Sequence, residues 1–75
     1  MKASEMHLHQ QATIQHIYLS EKQQQRLTSL GMIENENIYF IMCDPWEKIM
    51  IFQVKDTWIA LEKSIAEGLE VIVNE

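Results

Sequence analysis

The sequence predicts a mainly β domain: five short strands curled into a small barrel, with two short helices. Three observations predict it. Short runs rich in β-branched, aromatic and alternating apolar residues recur between 12 and 73. The two helical stretches, near 21–30 and 62–67, have apolar edges too narrow to cover a sheet. Five strands in 75 residues must also hide their edges, and closure does that. The alternative, an open α+β sheet with both helices on one face, fails on the second observation.

Residues 1–11 carry little pattern and read as a mobile arm or short lead-in to a single domain spanning 12–75. From Ala12 to Ile17 the text alternates as a strand does. Ser20 is a ready N-cap, and Gln23 three residues on completes a capping box. The polar helix that follows shows an apolar edge at Leu27 and Leu30 and stops at Gly31, where the chain needs positive φ. Ile38–Met42 and Lys48–Val54 are the next strands, joined by the turn Cys43-Asp44-Pro45-Trp46-Glu47. Lys55-Asp56 is a two-residue turn lacking the usual glycine, and it leads into Thr57–Leu61. A helical turn at Glu62–Glu67 ends at Gly68, and Leu69–Val73 closes the chain of elements.

The strands are apolar on both faces. Ile49 and Ile51 oppose Met50, Phe52 and Val54; Tyr39 and Ile41 oppose Ile38, Phe40 and Met42; Trp58 opposes Ile59. A small barrel buries one face, so the other is covered by helices and arm or is left to a partner.

Composition excludes several functions. Six basic against eleven acidic residues, net charge −5, with the cations scattered, leave no phosphate-tracking patch for nucleic acid. One cysteine, Cys43, closes no internal disulfide and fits a reducing compartment. The N-terminus lacks a signal-peptide run, and the longest apolar run, Ile38–Cys43, is far short of the ~20 residues a membrane span needs. A cytoplasmic protein without direct membrane insertion is expected. No nucleophile–base order, glycine-rich phosphate loop or metal-hydrolase motif occurs, so no enzymatic activity is expected.

The segment Gln25-Arg26-Leu27-Thr28-Ser29-Leu30-Gly31-Met32-Ile33, followed by a β run from Asn37, resembles the signature of the FeoA family, ferrous iron transport protein A. The late segment Trp58-Ile59-Ala60-Leu61-Glu62-Lys63-Ser64-Ile65-Ala66 running into Leu69-Glu70-Val71 is similar to the family's second landmark, and Asp44-Pro45 to its Gly-Asp-Pro turn. Glu34-Asn35 stands where the family usually has Pro-Gly, and Cys43 where it has the glycine. The resemblance covers roughly residues 12–73. It implies an SH3-like barrel and an accessory role in bacterial ferrous iron uptake, acting on the membrane GTPase transporter FeoB.

The candidate residues divide into two sets. Tyr39, Met50, Phe52 and Trp58 on the strands, with Leu27, Leu30 and Met32 at the helix end, are candidates for a partner surface, the aromatic and Met side chains being types enriched at interfaces. His7 and His9 at i, i+2 would share one face of an extended segment, and Cys43 or Asp44 would supply a third ligand to a divalent transition metal such as iron. The leading expectation is therefore an interaction module without a resident cofactor. The runner-up is a small divalent-metal carrier or sensor. Self-association through the surplus apolar faces is compatible with the first.

Overall fold

The computed structural model describes residues 1–74; Glu75, the end of the expected domain, lies outside the described residues. The elements are a 3-10 turn Ala3–Glu5, β1 Gln11–Ile17, α1 Glu21–Leu30, β2 Asn37–Cys43, β3 Ile49–Val54, β4 Thr57–Glu62, α2 Lys63–Ala66 and β5 Leu69–Val73. All five strands and both helices stand within a residue or two of their expected places.

The barrel does not close. The strands form one antiparallel sheet in the order β4-β3-β2-β1-β5, and its two outer strands, β4 and β5, are not paired with each other. The expectation assumed that edges in so short a chain must be sealed by pairing. Here the chain's first residues line the edge of β5, and the edge of β4 stays unpaired among the described residues. The sheet still curls enough to enclose a core, and the molecule measures 29 × 27 × 24 Å. Two register shifts, between Ile14 and His16 in β1 and between Phe40 and Met42 in β2, supply the bends.

One face of every strand feeds the core: Ala12 and Ile14, Ile38 and Phe40, Met50, Phe52 and Val54, Ile59 and Leu61, Leu69 and Val71. Leu27 and Met32 enter from α1 and its exit, and Ala66 from α2. Phe40 and Phe52 stack obliquely with centroids 5.3 Å apart. Burial of a side chain such as Phe52 stabilises the fold by about 1.5–3 kcal/mol.

The lead-in read as a mobile arm is docked. Ala3 is fully buried and Met6 nearly so, and both belong to the core. The Val71 N–H donates to the Met1 carbonyl at 2.7 Å, and Lys2 bridges to Glu70, so residues 1–2 lie along the outer edge of β5. An isolated three-residue turn has no period to reveal this in sequence.

Turn chemistry fixes the remaining geometry. Asp44 Oδ1 accepts from the Lys48 and Ile49 N–H groups at 2.6 and 2.8 Å, closing the β2–β3 turn. Lys55 has φ 54° at the first position of the two-residue β3–β4 loop, the place where a type II′ turn favours glycine.

Candidate functional site

Helix α1 owes its boundaries to the expected caps. Ser20 Oγ accepts from Gln23 N–H at 3.2 Å, and Gln23 Oε1 accepts from Ser20 N–H at 3.1 Å. At the far end Gly31 has φ 94°; its N–H donates to the Thr28 carbonyl and the Met32 N–H to the Leu27 carbonyl. This paired closure is a Schellman motif, and it turns Leu27 and Met32 together into the core.

Anchored so, α1 presents Gln23, Arg26, Leu27 and Leu30 along one side of a groove. The opposite side is built by Ile49 of β3 and by Ala60, Leu61 and Glu62 of β4, with Ile65 of α2 at one end. The groove volume is about 470 Å³. Its lining is mainly aliphatic, with one cation, Arg26, and one carboxylate, Glu62. Leu30 is 42% exposed at its margin, and β4 has no strand on its outer side among the described residues.

The outer face of the sheet continues this apolar surface. Register places Met42, Ile51 and Ala60 in one row across β2, β3 and β4, and Tyr39, Gln53 and Trp58 in the next. Trp58 is 61% exposed and Met42 45%. Sequence alternation placed Met42 with Ile38 and Phe40. The bulge after Phe40 adds a residue, so Met42 pairs with Ile51 and points outward instead.

The partner candidates thus separate. Trp58 and Leu30 are exposed and Tyr39 is half-buried. Met50, Phe52, Leu27 and Met32 are core residues and present no free surface, Leu27 reaching only the groove wall. For Met50 and Phe52 the reason is the choice of face: both faces of β3 are apolar, and the one carrying Met50, Phe52 and Val54 turned inward. Ala60 and Ile65, which complete the groove, lie within the second family landmark, but nothing in the sequence marked them as groove-lining.

The metal candidates are not brought together. His7 and His9 do not lie in an extended segment: the Gln10 N–H donates to the His7 carbonyl, and His9 has φ 69°, so the pair spans a turn. His9 Nδ1 lies 3.1 Å from the Tyr39 hydroxyl. Asp44 is committed to its own turn. The Lys48 and Ile49 N–H groups, Ile49's foremost, hold its carboxyl below the ordinary value. Cys43 faces the opposite way, half-buried against the core. Among the described residues no three His, Cys, Asp or Glu side chains are grouped as a metal site.

With this geometry, the family model for the FeoA domain matches residues 1–73. The chain belongs to the FeoA family. No curated protein sequence matches it. Among solved structures, it is similar to iron(II) transport protein A from Clostridium thermocellum, with 25% identity and TM-score 0.92, covering 97% of this chain and 45% of that one. It is similar to the FeoA-like protein from Clostridium acetobutylicum, with 18% identity and TM-score 0.87, over 97% of this chain and 85% of the other. A manganese-dependent transcriptional repressor in complex with manganese also carries the fold: 9% identity, TM-score 0.90, 99% of this chain but 36% of the repressor. The same SH3-like fold therefore serves in proteins of different function, and surface residues rather than topology must carry this chain's role. FeoA membership associates the chain with ferrous iron transport.

Proposed function

We propose that this FeoA-family protein is a non-catalytic, cytoplasmic interaction module that docks on the GTPase part of the membrane ferrous iron transporter FeoB. The observation that supports this reading is the aliphatic groove between α1 and the unpaired β4, continued by exposed Trp58. A groove lined by Leu27, Leu30, Ala60 and Ile65 suits an apolar anchor from a partner, and Arg26 and Glu62 at its walls fix orientation rather than affinity. No helix among the described residues is long and apolar enough to cross a membrane, so contact with the transporter is assigned to its soluble part.

The test is capture of the purified GTPase domain by the full chain. Trp58→Ala and Leu30→Ser each weaken capture by roughly tenfold or more, as loss of an interface anchor does, while melting is unchanged. Binding at full strength by both variants would sink this surface. Failure of the parent chain to bind would sink the partner. The runner-up, a divalent-metal carrier built on His7, His9, Cys43 and Asp44, needs side chains that lie on different turns and faces here, and no observation favours it.

A further inference from the structure

We propose that the small cavity ringed by Cys43, Met6 and Met50 binds a soft monovalent cation of the Cu(I) class. Cys43 and Met50 are register partners across β2 and β3. Residues so paired have Cβ atoms about 4.5–5.5 Å apart on the same face, and both side chains face inward. Met6 is delivered to the same place by the docked N-terminal turn. All three line one cavity of about 80 Å³, with Phe40 behind and Glu47 and Lys63 beside it.

Three of the chain's six sulfur-bearing side chains, five Met and one Cys, thus converge on one space. The donor set is a thiol and two thioethers, which favour Cu(I) over ferrous or other harder ions. Half-buried Cys43 gives access from solvent. On binding, the thiol S–H bond breaks, a sulfur–copper bond forms and the proton leaves to solvent. A filler role for the two Met side chains is the competing explanation, and exchange of sulfur for methylene separates the two, since Met and Leu are close in volume.

The experiment is anaerobic titration of the full chain with Cu(I) against a chromogenic Cu(I) chelator. One equivalent is retained by the parent. The Met6→Leu, Met50→Leu double variant melts like the parent but holds the ion roughly tenfold or more less tightly, and Cys43→Ser abolishes retention. A readout without substitution uses Ag(I) as probe: the methyl NMR signals of Met6 and Met50 shift while those of Met1, Met32 and Met42 stay. Retention by the double variant equal to the parent's, absence of any retention, or unmoved Met6 and Met50 signals would each overturn the site. None of these readouts involves the transporter, so the outcome is independent of the docking reading.

Discussion

The two outer strands of the sheet face the same physical problem and meet it differently. β5 has its free edge lined by the chain's own first residues: the Val71 N–H finds the Met1 carbonyl, Lys2 bridges to Glu70, and Ala3 and Met6 anchor the segment in the core. β4 has no such cover among the described residues; α1 stands beside it across a groove. Unpaired strand edges template association unless they are blocked. One edge is therefore covered by the chain itself, while the other stays unpaired among the described residues, and the proposed docking surface rests on that asymmetry.

The comparison breaks most readily at β5. Ala3→Glu puts a charge at a fully buried position, and an unpaired buried charge destabilises by about 3–5 kcal/mol. Denaturant unfolding measures the loss. Hydrogen exchange at Val71 then accelerates relative to Ile59, because residues 1–6 leave before the core opens. If Ala3→Glu unfolds like the parent and Val71 stays protected, the edge is not held by this segment.

At β4 the same kind of measurement gives a small number. Trp58→Ala removes a large but mostly exposed side chain, so stability changes by no more than about 0.5 kcal/mol. A loss of 2 kcal/mol or more would mean that Trp58 holds the sheet together, and the contrast between the two edges would collapse.

The asymmetry also marks where the sequence was legible. The strands, the capping box at Ser20–Gln23 and the stop at Gly31 are local signals, read from spacing alone, and the FeoA landmarks lie on them. Closure is not local. Alternation says that β3 has two faces, Ile49 and Ile51 against Met50, Phe52 and Val54, but both are apolar, and the docking of Leu27 and Met32 decides which turns inward. A bulge adds one residue without a sequence mark and sends Met42 to the outer face. Ala3 and Met6, on a short turn, have no periodicity to show that they seal an edge. The sequence named Trp58 and Leu30 as partner candidates on the same footing as Phe52, Met50, Leu27 and Met32, because it holds no rule that picks the buried face.

The smallest expected effect is in acid, and it asks which side of the sheet loosens first. Asp44 accepts hydrogen bonds from Ile49 and Lys48, and its carboxyl titrates below the ordinary 3.8 because of them. A carboxyl depressed in the folded state contributes stability above its unfolded value and loses it as pH falls through the folded one. The loss begins near 3.8 and continues below it. The Lys48 carbonyl also accepts from the Lys63 N–H at 2.7 Å, so the β2–β3 turn is tied to the end of β4 and the start of α2. Protonation of Asp44 therefore raises hydrogen exchange at Lys48, Ile49 and Lys63 before it does so at Val71. Asp44→Asn keeps an acceptor but removes the titration, so its unfolding free energy falls less steeply with acid than the parent's. Identical acid limbs for the two proteins, or Val71 opening first, would place the acid-labile point elsewhere and make β5, not β4, the weaker side.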